Sequence, residues 1–180
     1  LLYRDSAWST LTTRISDAIG YTPGRDFILV TEQAATSGTA LDFTSIPSWV
    51  KRITIMFDGV STTGTSVPQI QIGDSGGVET ASYNSGSGRP TAILAGSTGF
   101  PVVYDHAANA VLHGKVEIAL QDAANNVWVI SGTIFAATIN LMHYCAGSKA
   151  LSGTLDRVRI TTVGGADTFD AGAISISYEG

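Results

Sequence analysis

Between residues 24 and 180, apolar and polar residues alternate with a period of two, in short runs separated by turn-forming residues. The clearest runs are RITIMFDG at 52–59, VEIALQD at 116–122 and AISISYE at 173–179. β-Branched and aromatic residues are frequent in the runs, and clusters of Gly, Ser, Thr, Asn and Asp separate them. Because no helical spacing intervenes, the pattern predicts an all-β fold: an antiparallel, jelly-roll-like β-sandwich of about ten short strands.

The same alternation predicts which side chains form the core. One face of each run carries the residues that we expect to be buried: Ile53, Ile55, Phe57, Val116, Ile118, Leu120, Ile174, Ile176 and Tyr178. Residues 113–135 are predicted to form a β-hairpin with its tip at 122–126. Trp128 alternates with valines in that hairpin, so packing is its expected role. These apolar faces require a second sheet to cover them.

The first 23 residues have a different pattern. Residues 5–19 contain no glycine or proline, and apolar residues recur there at the three-to-four spacing of a coiled coil: Leu1, Trp8, Leu11, Ile15 and Ala18. A helix this short is marginal alone, so we expect it to pack against copies of itself rather than against the head. The sequence therefore predicts a helical stalk end and linker at 1–23, followed by a β-sandwich head domain at 24–180. The chain starts with Leu1 rather than methionine, and we expect a fragment of a longer protein.

Charge and composition exclude several classes of function. The net charge is −5 and the pI is near 4.9, so no basic face is expected for nucleic acid. No apolar stretch approaches the ~20 residues of a membrane span, and we expect no membrane insertion. Cys145 is the single cysteine and lies in an apolar run, where a buried position is expected. Because no Cys/His cluster accompanies it, we expect no metal and no cofactor.

Residues 73–77 spell GDSGG, the motif that surrounds the nucleophilic serine of trypsin-like proteases. A serine nucleophile needs a base and a group that orients the base. In those proteases the histidine precedes the serine, whereas His106, His113 and His143 all follow Ser75. Gly, Asp and Ser are also the residues of tight turns. The segment is therefore predicted to be a turn between strands, with no catalytic residue.

Glycoside hydrolysis is the enzymatic alternative, and it requires two carboxylates that face one cleft. Two pairs of acids are candidates, Asp74 with Glu79 and Asp167 with Asp170. Both pairs lie in turn-like stretches, where carboxylates commonly accept hydrogen bonds from backbone amides. We therefore expect the chain not to be an enzyme.

Two segments have the composition of ligand-binding loops, SYNSGSGRP at 82–90 and VVYDHAANA at 102–110. Sugar recognition uses aromatic faces together with planar amides, carboxylates and guanidinium groups on loops. The candidate ligand-binding residues are Tyr83, Asn84, Arg89, Tyr104, Asp105 and His106. The alternative for each is a solvated turn or, for Tyr104, a core position.

Three blocks of the sequence resemble parts of the tail fibres of tailed bacteriophages and prophages, and two of them resemble the carboxy-terminal head. AIGYTP at 18–23 is similar to a motif that ends shaft segments in those fibres, and the blocks at 39–61 and 147–180 resemble the head itself. The resemblance covers most of the chain. It is weakest at about 83–110 and 136–146.

This resemblance implies a homotrimer at the distal end of a tail fibre in the virion. It also implies binding to a bacterial surface polysaccharide, a lipopolysaccharide or an outer-membrane protein during host attachment. The two weakly matching segments suit a receptor-reading region. A polysaccharide-degrading enzyme and a purely structural trimerisation domain remain as alternatives.

Overall fold

The computed structural model of the chain describes residues 27–180. Within that range the chain forms fourteen β-strands and one short 3-10 helix. The strands are β1 (Ile28–Leu29), β2 (Gln33–Ala34), β3 (Ala40–Phe43), β4 (Arg52–Thr62), β5 (Pro68–Asp74), β6 (Gly77–Val78), β7 (Asn84–Arg89), β8 (Ala92–Gly96), β9 (Phe100–Pro101), β10 (Leu112–Asp122), β11 (Val127–Ala136), β12 (Leu141–Ala150), β13 (Arg157–Thr162) and β14 (Phe169–Glu179), and the 3-10 helix is Ala137–Ile139. The predicted helical stalk at 1–23, with Trp8, Leu11 and Ile15, lies outside the described residues.

The strands form two antiparallel sheets. The large sheet has nine strands in the order β1-β14-β4-β10-β11-β12-β7-β8, with β2 also paired to β14. The small sheet has five strands in the order β3-β13-β5-β6, with β9 paired to β5. The predicted all-β, antiparallel architecture is confirmed for the described part of the chain.

The core lies between the inner faces of the two sheets. The large sheet contributes buried residues that follow the predicted alternation: Ile53, Ile55, Phe57, Val116, Ile118, Ile174 and Ile176. The small sheet contributes Leu41, Phe43, Ile70, Ile72, Val158 and Ile160. All of these side chains belong to one apolar cluster, as expected where two sheets cover each other. Leu120 and Tyr178, predicted to be buried, are half-buried at its border.

The predicted hairpin is present as β10 and β11, which pair along their whole length. Asp122 closes its tip, because its Oδ1 accepts a hydrogen bond from the Ala124 N–H at 2.8 Å. Asn126 takes a left-handed φ of 50°, which asparagine tolerates in tight turns. Trp128 and Cys145 are buried, as their sequence contexts predict.

The prediction of a loop at 82–90 is wrong, because 84–89 form strand β7 between β8 and β12. Serine and glycine have low intrinsic strand propensity, so the sequence pattern favours a turn. Pairing on both sides overrides that propensity. The Ser85 Oγ also donates to the Gly96 carbonyl at 3.0 Å, and the Ser87 Oγ donates to the Val103 carbonyl. These bonds join β7 to the chain that follows it.

Candidate functional site

The two segments in which the fibre-head resemblance is weakest meet in the structure. β7 pairs with β12, with Gly88 opposite Tyr144 and Ser87 opposite Cys145. After β9 the chain crosses β7, where the Val103 carbonyl accepts a hydrogen bond from the Ser87 hydroxyl. At one end of this arrangement lie Arg89, Tyr104, Asp105 and His143, which we call the Arg89 cluster. Arg89, Tyr104 and Asp105 come from the first weakly matching segment and His143 from the second.

Arg89 is held from three directions. Its Nη1 lies 3.1 Å from Asp105 Oδ2, and its guanidinium carbon lies 4.9 Å from the centre of the Tyr104 ring. The Arg89 carbonyl accepts a hydrogen bond from the Tyr144 hydroxyl at 3.0 Å. About a third of the Arg89 side chain is exposed, so the planar cation is fixed in orientation and still accessible.

Tyr144 reaches Arg89 by lying across a glycine. A Cβ added at Gly88 would lie 2.9 Å from Tyr144 Cε2 and 3.1 Å from the Ala92 carbonyl oxygen. Real Cβ atoms rarely come so close to another atom. The ring occupies the space that a side chain at position 88 would need.

His143 is the fully buried member of the Arg89 cluster. Its Nδ1 accepts a hydrogen bond from the Tyr104 N–H at 3.1 Å, so in the neutral ring the proton is on Nε2. Burial lowers the pKa of His143, and the Asp105 carboxylate opposes that effect only in part. The imidazole is therefore neutral at pH 7 and positions Tyr104 through its backbone.

Three buried polar atoms of the cluster have no hydrogen-bond partner. They are Arg89 Nε, Asp105 Oδ1 and His143 Nε2. His143 Nε2 lies 3.9 Å from Asp105 Oδ1, which is too far for a hydrogen bond. Buried polar groups in proteins are nearly always paired, so two free donors and a free acceptor at one place are unusual. A water molecule or a hydroxyl group, each of which both donates and accepts, matches the hydrogen-bonding pattern of this set.

The other three predicted ligand-binding residues do not join the cluster. The Tyr83 ring is buried against Phe100, with centres 4.8 Å apart, and burial raises the pKa of Tyr83 to about 12. His106 is also buried, and its Nε2 lies 2.9 Å from Thr62 Oγ1. Asn84 is exposed but lies at the opposite end of β7 from Arg89, about 16 Å away on an extended strand.

The GDSGG segment is the predicted turn. Gly73 and Asp74 of β5 pair with Val78 and Gly77 of β6, which leaves Ser75 at an exposed two-residue tip. Asp74 Oδ1 accepts a hydrogen bond from the Gly76 N–H at 2.8 Å and closes the turn. Among residues 27–180, no histidine makes a hydrogen bond to Ser75.

Asp74 and Glu79, the first carboxylate pair, converge on Ser152. The Ser152 Oγ lies 2.8 Å from Asp74 Oδ2 and 2.8 Å from Glu79 Oε1. The hydrogen bond from Ser152 is the largest influence on Asp74 and lowers its pKa. Burial acts to raise the pKa of Glu79, but hydrogen bonds from Lys149 and Ser152 outweigh it and lower that pKa too. A general acid in glycoside hydrolysis needs a raised pKa, which neither carboxyl has.

The second pair, Asp167 and Asp170, also binds neighbouring groups. Asp167 Oδ2 accepts a hydrogen bond from the Ser66 N–H at 2.7 Å. Asp170 accepts a hydrogen bond from the Ser61 hydroxyl. Both carboxylates therefore hold turns and strand ends in the way that loop carboxylates commonly do.

Across residues 27–180 there is no group of three or more His, Cys, Asp or Glu side chains arranged to hold a metal ion. None of the helical structure in the same range is long and apolar enough to cross a membrane. No protein-family model, no curated protein and no solved structure matches the chain.

Proposed function

We propose that this chain is the receptor-binding head of a bacteriophage tail fibre and attaches to a saccharide on the bacterial surface. The observation that carries the proposal is the Arg89 cluster. It lies where the two segments of weakest fibre-head resemblance meet, and it combines an accessible arginine with three unpaired buried polar atoms. The receptor is a polysaccharide or lipopolysaccharide, with an outer-membrane protein as the alternative.

The chemistry of the cluster supports a saccharide ligand. Arg89 and Asp105 offer a planar donor and a carboxylate acceptor side by side, which suits adjacent sugar hydroxyls. The rings of Tyr104 and Tyr144 flank the arginine and are partly exposed, so they offer apolar faces for sugar C–H groups. Buried His143 fixes the backbone of Tyr104 and makes the arrangement rigid.

A homotrimer is part of the same proposal. The outer face of β12, β7 and β8 exposes Ile93 and Met142, which are 74% and 52% accessible. Glycine and alanine occupy neighbouring outward positions on these strands: Gly86, Ala95 and Ala146. A flat apolar face of small residues suits close contact with a second and third copy.

The attachment of the full chain to bacteria tests the role of the cluster. Asp105→Asn keeps the shape of the side chain and removes its charge, and Arg89→Gln replaces the guanidinium group with a shorter neutral amide. Charged hydrogen bonds are worth about 1.5–3 kcal/mol, so each variant is expected to bind a surface saccharide about 10- to 100-fold more weakly. Pull-down on whole bacteria and glycan-array binding measure the effect.

Arg52→Gln is the matched control, because Arg52 is an exposed arginine of the same sheet that pairs with a carboxylate, Glu117, at 3.4 Å. Wild-type attachment by both cluster variants would contradict the proposed site. A trimer that binds no bacterium or glycan would favour a structural trimerisation domain. Release of reducing sugars from purified surface polysaccharide would favour the enzyme.

A further inference from the structure

The outer face of the small sheet carries a groove formed by two adjoining cavities of about 340 and 400 Å³. Gln69, Thr98 and Val163 line both cavities and make them continuous. Each volume lies within the range of about 300–1,000 Å³ that is usual for small-molecule sites. None of the residues of the Arg89 cluster lines the groove, so it is a separate surface.

Strand register explains why the floor of the groove is polar. Gln69 lies opposite Thr161, and Gln71 lies opposite Arg159. Alternate residues of β5 and β13 point away from the core, and these four are on that outward face. The backbone groups of β5 and β13 are used in the sheet, so the floor presents side chains rather than a free strand edge to a ligand.

The two glutamine amides are buried and fixed. Gln71 Nε2 donates to the Thr98 carbonyl at 2.8 Å, and Gln69 Nε2 donates to the Thr162 carbonyl at 3.4 Å. The Thr98 hydroxyl donates to Gln69 Oε1 at 3.3 Å. An amide has two N–H donors and an oxygen with two lone pairs. Each glutamine is therefore held in one orientation with part of its hydrogen-bonding capacity unused.

Among the described residues, 27–180, Arg159 is the one ionisable residue that lines the groove. Its Nε and Nη2 each donate a hydrogen bond of 2.7 Å to the Asp42 carboxylate, so its charge is paired. The remaining polar lining consists of hydroxyls and amides, including Thr39, Thr80 and Thr98. An apolar wall accompanies them: Val67, Leu94, Pro101 and Val163.

We infer that this groove binds a segment of neutral oligosaccharide. Hydroxyls and fixed amides pair with sugar hydroxyls, the apolar wall contacts sugar C–H faces, and the absence of an unpaired charge along the groove disfavours acidic or basic ligands. The inference rests on the proposed attachment function and names the ligand class for it. The groove provides a second contact surface, distinct from the Arg89 cluster.

The test uses the full chain on a glycan array that holds neutral and acidic bacterial oligosaccharides. The neutral oligosaccharide that binds best is then titrated calorimetrically into Gln71→Met and Thr98→Val, which keep side-chain size and remove polar groups. Loss of neutral hydrogen bonds is expected to weaken binding about threefold to tenfold in each variant. Thr54→Val, on the outer face of β4, is the matched control and is expected to bind like wild type.

An NMR measurement on the wild-type protein keeps the test informative even if a variant unfolds. The side-chain amide signals of Gln69 and Gln71 are expected to shift in NMR spectra when the same oligosaccharide is added. Wild-type affinity in both groove variants, or NMR shifts confined to the Arg89 cluster, would contradict binding in the groove. Neither result would contradict the proposed attachment function. Binding of acidic oligosaccharides alone, or of extended peptides, would overturn the ligand class. A wild-type chain that binds neither glycans nor bacteria would overturn both proposals.

Discussion

Lys149 is 5% exposed, and its ammonium group pairs with the Glu79 carboxylate. The same ammonium lies 5.5 Å from the centre of the Tyr83 ring. The Tyr83 hydroxyl accepts a hydrogen bond from the Ile72 N–H and lies 2.9 Å from the Glu79 carbonyl, to which it donates. Removing one partner of a buried ion pair leaves the other charge uncompensated, which destabilises the fold. These three residues therefore tie β12 to the end of β6.

Glu79→Gln is expected to destabilise the fold by about 3–5 kcal/mol at pH 7, because it leaves the buried Lys149 without a counterion. Urea denaturation measures the loss. The pKa of Glu79 is lowered from its ordinary value of 4.5, so the stability it contributes is present above pH 4.5 and is lost as the pH falls through the folded-state pKa. Below that range, wild type and variant should converge.

Glu117→Gln is the control, because Glu117 pairs with a half-exposed arginine, Arg52. Exposed pairs contribute about 0–1 kcal/mol, and this variant should be close to wild type. Equal losses in the two variants, at every pH, would contradict the assigned role of Lys149.

The burial of Tyr83 and His143 could not be predicted from the local sequence. Tyr83 follows the small residues Ala81 and Ser82, which look like loop sequence, whereas His143 follows Leu141 and Met142 in a strand pattern. The burial of both side chains depends on distant residues. Tyr83 packs against Phe100, and His143 accepts the N–H of Tyr104. No local pattern encodes either contact, so Tyr83 was expected among the ligand-binding residues and His143 was not.

Among the elements, the β5–β6 hairpin depends on glycines rather than on its serine. A Cβ added at Gly73 would lie 2.1 Å from the Gly77 carbonyl oxygen, so the two strands approach too closely for any other residue. Gly77 itself has a φ of 137°, which L-residues rarely adopt. The resemblance to a protease motif follows from this turn geometry.

Ser75→Ala is expected to change stability by less than about 0.5 kcal/mol, since Ser75 is exposed at the hairpin tip. Gly73→Ala should cost about 1–3 kcal/mol through the backbone clash. Thermal denaturation compares the two. The wild type should also remain unlabelled by a fluorophosphonate probe, and stoichiometric labelling that Ser75→Ala abolishes would establish a nucleophile and refute the turn interpretation.

Strands with a buried face were predictable, and strands built from small residues were not. β4, β10 and β14 each contain a stretch with apolar residues at every second position, at 53–57, 116–120 and 174–178, so the sequence period predicts the strand. β7 has the sequence NSGSGR and is extended because β12 and β8 pair with it on both sides. That difference also limited the site prediction, because Arg89 lies at the end of this strand.

For the whole molecule, the apolar outer face and the predicted stalk lead to the same expectation of a trimer. The full chain should have a mass of about three times 18.7 kDa in solution, measurable by light scattering. Ile93→Lys with Met142→Lys should weaken assembly by burying charge at the contact, and Leu11→Asp with Ile15→Asp should weaken it through the stalk.

Val163→Lys is the matched control, because Val163 is a comparably exposed apolar residue, 50% accessible, in the turn that follows β13 of the small sheet. A monomer of the wild-type chain at micromolar concentration would contradict the trimer. Assembly that Val163→Lys disrupts, and that the Ile93 and Met142 substitutions leave intact, would instead place the contact on the small sheet.

The two-sheet architecture and its core follow from the sequence, and the structure brings three of the six predicted ligand-binding residues together. Arg89, Tyr104 and Asp105 meet because β9 and the following chain return across β7. The groove on the small sheet has no sequence signal, since its glutamines and threonines lie on separate strands and look like ordinary solvated positions.

The position of the Tyr144 ring across Gly88 couples substitutions at these two positions during evolution. Any side chain at 88 displaces the ring and breaks the hydrogen bond that Tyr144 makes to the Arg89 carbonyl. Natural variants should therefore keep glycine at 88 wherever 144 is aromatic, and should lose the glycine only in lineages where 144 has already become small. Homologues with substitutions near Arg89 would be expected to change these two positions together, with the order of the two changes fixed.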